Sequence, residues 1–199
     1  MGSCSTTPQK HVVLVGRNSS GKSYLFSRFL TQRTVVAFDQ KLKPTKGFQT
    51  MSAWINDVRY CLWDPCGQQL FREYWKSLYL NVPVSVLIYV IDAHKYLDTD
   101  NDKKKTEARG VDSKSRDDAM VEDRMELHAM LCEPWLKAAR VFVFINWIGE
   151  TPQFELNKRI LNALDLVVNY SQEQYRFRQI KGVATTFEDL IQFMRDTER

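Results

Sequence analysis

Gly16-Arg17-Asn18-Ser19-Ser20-Gly21-Lys22-Ser23 follows the apolar run Val12-Val13-Leu14-Val15 and leads into a helix-like pattern over residues 22–30. The eight residues fit G-x-x-x-x-G-K-[ST], a loop that wraps phosphate groups. Its glycines let backbone N–H groups turn inward as an anion nest, and the helix behind it adds partial positive charge at its N-terminus. Gly16, Arg17, Asn18, Ser19, Ser20 and Gly21 therefore form the candidate cradle. Lys22 would reach the β- and γ-phosphates of a nucleotide, and the Ser23 hydroxyl would ligate Mg²⁺. The bland alternative is a glycine turn, against which the strand-before, helix-after setting argues.

Composition bounds the rest. The chain has 199 residues, enough for one domain with a full core. Its longest apolar run, residues 84–91, is far short of the roughly 20 residues of a membrane span. A net charge of +4 with scattered basic residues gives no case for nucleic acid. Cys4, Cys61, Cys66 and Cys132 lack metal-ligand or disulfide-framework spacing, and no secretory signal is evident, which points to a reducing, cytoplasmic compartment. His11, His94 and His128 are far apart in sequence and do not read as a metal or catalytic set.

Short apolar runs alternate with helical patterns, the mark of a mostly parallel α/β sheet. Strands are expected at residues 11–15, 48–54, 58–63, 84–91, 141–145 and 176–180, and helices at 22–30, 120–131, 153–164 and 186–195. The second and third strands read as a hairpin across Asn56-Asp57, with Phe48, Thr50, Ser52 and Trp54 on one face. Thirteen of the residues in 98–118 are charged, with Ala108 and Val111 the only apolar ones, so this insertion is expected to be a solvated, disordered loop. Residues 1–10 read as a flexible tail and 11–199 as a single domain.

Two further segments narrow the chemistry. Pro44-Thr45-Lys46-Gly47-Phe48 follows the first helix, and Trp63-Asp64-Pro65-Cys66-Gly67-Gln68 ends the third strand, with Arg72, Trp75 and Tyr79 beyond it. With these the sequence resembles the ADP-ribosylation factor (Arf)-like branch of the small GTPases, which carries P-T-x-G-F in switch I and W-D-x-x-G-Q with an R-x-x-W tail in switch II. The resemblance covers most of the chain. It implies the phosphate-loop small-GTPase fold: a six-stranded sheet with one antiparallel edge hairpin and helices on both faces. It also implies GTP and GDP as ligands, slow hydrolysis, and effector, exchange-factor and activating proteins meeting the switch and interswitch surface of a monomer.

The chemistry asks for the same residue types. A triphosphate held with Mg²⁺ needs hard oxygen ligands from several segments. Ser23 supplies one, Thr45 a second, and Asp64 a carboxylate acting through a metal-bound water. Gly67 has no side chain, so its N–H can approach the γ-phosphate, and Gln68 can orient the attacking water. Each has a plainer reading, as turn residue, strand-end cap or solvated loop residue. Arg72 and Trp75 read as packing and partner surface.

The match fails at the base. Guanine selectivity in the family comes from N-K-x-D, where this chain has Asn146-Trp147-Ile148-Gly149. Asn146 is retained for the base edge, Trp147 is expected to cover the base with its ring, and the aspartate has become Gly149, with Glu150 as a substitute only if the loop is shifted. The second base loop is placed near Ile180-Lys181-Gly182, without a persuasive match. An interaction module with weak or unselective nucleotide binding, a pseudo-GTPase, is therefore the competing expectation. At the N-terminus Met1-Gly2-Ser3-Cys4-Ser5-Thr6 fits an acylation signal, with Gly2 for myristate and Cys4 for palmitate. Two chains would give peripheral membrane association, as suits vesicle trafficking; the alternative is a plain tail.

Overall fold

A computed structural model describes residues 9–31, 47–55, 58–68, 75–77, 80–96, 114–147, 153–169 and 174–196. Gly2, Cys4, Thr45, Arg72, Tyr79, Gly149 and Glu150 lie outside them, as do residues 97–113.

Strand β1 (Lys10–Val15) sits inside a six-stranded sheet, and from Val12 onward every residue is fully buried. Helix α1 (Lys22–Thr31) follows it, then the strands β2 (Phe48–Ile55), β3 (Val58–Pro65) and β4 (Val84–Asp92). Helix α2 (Lys114–Leu131), β5 (Arg140–Asn146) and helix α3 (Phe154–Ala163) come next. The short strands β6 (Val167–Asn169) and β7 (Gln174–Tyr175), then β8 (Ile180–Ala184) and helix α4 (Phe187–Asp196), complete the described order. The sheet order is β2-β3-β1-β4-β5-β8, and only the β2–β3 pairing is antiparallel. This is the expected small-GTPase architecture.

Strand periodicity divides the core into two layers. Successive side chains point to opposite faces, so Val13, Val15, Leu87, Tyr89, Ile91, Val143 and Ile145 fall on one side. There Leu127 and Leu131 of α2 and Leu156 and Ile160 of α3 cover them. Val12, Leu14, Ile88, Val90, Phe142 and Phe144 fall on the other, under Leu25 and Phe29 of α1 and Leu190 and Met194 of α4. Chain order reverses at β1, whose neighbours β3 and β4 lead away in opposite directions. In open parallel sheets the crevice at the carboxyl ends beside such a point is where ligands bind.

Three expectations need correction. The last sheet strand is β8 at Ile180–Ala184, not 176–180. Gly182 lies within this strand, and a Cβ there would come 3.0 Å from the Phe193 ring of α4, so the close packing of the helix calls for glycine. The second base loop therefore cannot lie at residues 180–182, which are paired with β5. Helix α2 starts at Lys114, so residues 114–118 are helical and not loop. A helix already anchored by packing extends through charged residues one hydrogen bond at a time, with no further burial required. Finally, a β6–β7 hairpin precedes β8, where the sequence reading names no strand between residues 164 and 176.

Candidate functional site

The phosphate-loop residues lie at the carboxyl end of β1. Ser19 and Gly21 both take left-handed backbone, with φ of 61° and 94°. A side chain at 21 would suffer twice, since a Cβ there would stand 1.9 Å from Asn146 Nδ2. Lys22, the first residue of α1, is buried, and its ammonium donates to the Arg17 carbonyl at 2.8 Å. Ser23 Oγ donates to Asp64 Oδ2 at 2.6 Å, and Asp64 is fully buried at the end of β3. Hydroxyl and carboxylate oxygens adjoining a buried ammonium suit Mg²⁺ and a polyphosphate, because the ion takes hard oxygen donors and the lysine takes phosphate charge.

Gly67 passes directly over the loop. A Cβ at this position would lie 2.3 Å from Lys22 Nζ and 2.9 Å from the Gly16 carbonyl oxygen. Only a residue without a side chain permits that approach. Gln68 follows it and is exposed beside the site. Trp75 is buried and its indole N–H donates to the Cys66 carbonyl at 3.0 Å, so it packs the segment from beneath.

The base side departs from expectation. Asn146, buried at the end of β5, donates through Nδ2 to the Ser20 carbonyl at 3.0 Å and so ties β5 to the loop. Trp147 was expected over the base. Instead it belongs to the α3-side core, is 8% exposed, and donates from Nε1 to Asn157 Oδ1 at 3.1 Å. Ala184 pairs with Phe144, so the chain after β8, Thr185-Thr186, follows beside the β5 end. Thr186 Oγ1 there accepts from the Asp189 N–H to cap α4.

Arg17 reaches away from the loop to α2, where Nη1 pairs with Glu122 Oε2 at 3.0 Å. Lys95, in the 3-10 turn Ala93–Tyr96, donates to the Asn18 carbonyl at 3.1 Å. Sequence reading missed Glu122, Asp123 and Lys95. One signal was present: Met120, Asp123, Leu127 and Met130 share the inward stripe of α2, and an acid there demands a buried partner. Burial pushes the Asp123 carboxyl above its ordinary value, with the Tyr96 hydroxyl and Arg17 pulling the other way.

Fold and loop geometry together are those of the phosphate-loop, small-GTPase class. The family model described as the ADP-ribosylation factor family matches residues 3–108, over half of the chain, and the chain belongs to that family. It is 29% identical over 136 residues to ADP-ribosylation factor-like protein 3 of Caenorhabditis elegans, covering 68% of this chain and 59% of that protein. To ADP-ribosylation factor-like protein 1 of Saccharomyces cerevisiae it is 27% identical over 135 residues, or 68% and 58%. The chain thus spans about three fifths of the length of these curated relatives. Among solved structures, the Arl6 (BBS3) small GTPase of Trypanosoma brucei, with a bound GppNp analogue, superposes with a TM-score of 0.60. The sequences are 16% identical, and the match covers 96% of this chain and 99% of that one, a likeness of fold.

Proposed function

We propose that this protein is a Mg²⁺-dependent GTP-binding switch that hydrolyses GTP slowly and shows its β2–β3 hairpin and adjoining segments to protein partners in one nucleotide state. The observation that carries this reading is the convergence of Lys22, Ser23, Asp64 and Gly67 at the carboxyl ends of β1 and β3.

In this account the loop backbone and Lys22 hold the triphosphate. Ser23 directly, Thr45 directly and Asp64 through a water are the residues that would hold Mg²⁺, whose bound charge offsets that of the phosphates. Gln68 orients a water for in-line attack on the γ-phosphorus. The bond to the β–γ bridging oxygen breaks, and GDP and inorganic phosphate leave. Effector, exchange-factor and activating proteins would read the outward face of β2, where Phe48 and Trp54 are exposed. Acylation at Gly2, with Cys4 as a second anchor, would place this monomeric switch on the cytoplasmic surface of a membrane engaged in vesicle trafficking. Among the described residues, no helix is long and apolar enough to cross one.

A second reading, a pseudo-GTPase interaction module, is favoured by one specific observation. Asn146 bonds the loop, Trp147 packs in the core, and the aspartate that reads guanine is Gly149. Nucleotide extracted from gently purified protein separates the two. Stoichiometric GDP or GTP supports the switch, and an empty pocket supports the module.

A further inference from the structure

We propose that Arg17 and Asp123 form a clamp through which helix α2 holds the phosphate loop, and that this clamp sets how long a bound guanine nucleotide stays. The proposal rests on the GTP-binding reading above and deepens it by naming two positioning residues.

Arg17 is the first residue after Gly16, so its backbone is part of the loop while its side chain is not. The guanidinium pairs with Glu122 at 3.0 Å, and its Nε lies 4.0 Å from Asp123 Oδ1. Asp123 is only 4% exposed. Its Oδ2 accepts from the Tyr96 hydroxyl at 2.6 Å and its Oδ1 from the Tyr89 hydroxyl at 3.2 Å. Four pieces of the fold therefore meet at one carboxylate: the loop, β4, the 3-10 turn and α2.

The backbone of the same arginine carries the other half of the argument. Its carbonyl accepts from Lys22 Nζ at 2.8 Å and from the Ser20 N–H at 3.2 Å. A shift of Arg17 toward or away from α2 thus moves the acceptor on which the phosphate-binding ammonium rests. Lys95 holds the next residue through the Asn18 carbonyl, so the loop is gripped at two successive positions.

A structural ion pair is the plainer explanation, and burial makes it a poor one. Removing a carboxylate from water costs several kcal/mol, and replacing a buried pair by apolar residues is often neutral or stabilising. Leucine or methionine would serve the inward stripe of α2 at least as well. What an apolar residue does not supply is a directed contact to a loop that must keep its amides aimed at phosphate.

The test is dissociation of a fluorescent N-methylanthraniloyl-GDP from the full chain in Arg17→Ala, Arg17→Lys, Asp123→Asn and the Arg17→Ala/Asp123→Asn double variant, with each melting temperature recorded. Arg17→Ala, which removes the 3.0 Å pair to Glu122 and the longer approach to Asp123, should speed dissociation by about tenfold, and Asp123→Asn by a smaller factor of about threefold. The double variant should be no faster than Arg17→Ala alone, which already removes both contacts of the guanidinium, at Glu122 and at Asp123. Arg17→Lys should stay within about threefold of wild type, because a cation is retained at the acid. Lower melting temperatures with dissociation within about twofold of wild type would mark the pair as structural only and overturn the proposal, as would additive effects in the double variant. If wild-type protein holds no labelled nucleotide, the GTP-binding reading fails and takes the clamp with it. Tight wild-type binding with unaltered dissociation in the variants sinks the clamp alone.

Discussion

Ser23 Oγ and Asp64 Oδ2 stand 2.6 Å apart, across 41 positions of sequence. The first belongs to the opening turn of α1 and the second to the end of β3, three residues before Gly67. Their contact joins the two motifs into one site, because β1 and β3 are parallel neighbours and deliver their carboxyl ends to the same edge.

Affinity for GTP should depend on Mg²⁺ through Ser23. Chelation with EDTA should weaken wild-type binding by at least about tenfold. Ser23→Ala should bind more weakly from the outset and lose most of that metal response, since it lacks the hydroxyl ligand. Calorimetric titration with and without Mg²⁺ checks this, and an undiminished response in the variant removes Ser23 from the metal site.

Gln68→Leu should slow single-turnover hydrolysis by about tenfold or more while the dissociation constant stays within about threefold. The residue is exposed and follows Gly67, and the proposed role is to orient a water, which concerns the transition state more than ground-state binding. Intrinsic turnover should be slow in any case, because the arginine nearest the loop, Arg17, is engaged with α2. Equal hydrolysis by both proteins excludes Gln68 from the mechanism.

Guanine selectivity should be poor. The loop residues that would contact any triphosphate are all present, whereas the aspartate that would read the base is replaced by Gly149. Competition among GTP, ATP and XTP should show a modest preference for GTP or micromolar affinity overall, and Gly149→Asp should sharpen that preference. Strict selectivity at picomolar affinity would show that another residue reads the base, with Glu150 first in line.

Mild acid should loosen the hairpin. His11 Nδ1 accepts from Trp63 Nε1 at 3.1 Å, and burial holds its pKa below the usual histidine value. The folded state therefore binds fewer protons than the unfolded chain near the unfolded pKa of about 6.5. Stability from neutral His11 is full above that value and declines as pH falls through it toward the lower folded pKa. Melting temperature should drop between pH 7.5 and 5.5, and less in His11→Gln. An identical drop in both proteins assigns the effect to other groups.

Much of this was legible in the sequence because it rests on short-range signals. The phosphate loop announces itself through fixed glycine and lysine positions, and β1, β4 and β5 through runs of Val, Ile and Phe. What escaped depends on tertiary context. Sequence reading places the last strand at 176–180, because nothing local shows that Gly182 packs under the Phe193 ring inside a strand. Residues 114–118 read as solvated loop because composition speaks to burial and not to extension of a packed helix. Trp147 replaces a lysine in the motif, and nothing local reveals that its ring turns toward Asn157. Arg17 and Asp123 lie more than a hundred positions apart, and no spacing rule connects them.

The central claim is that residues 16–23 bind the phosphates of a guanine nucleotide, with Lys22 as the indispensable cation. Calorimetric titration of GTP into wild-type protein and Lys22→Ala, with Mg²⁺ present, tests it most directly. Lys22 is buried against the Arg17 carbonyl, under the backbone of Gly67, while Arg17 and Lys95 are engaged with Glu122 and the Asn18 carbonyl. The account predicts measurable binding by wild type and none by the variant. Unchanged GTP affinity in Lys22→Ala would contradict it.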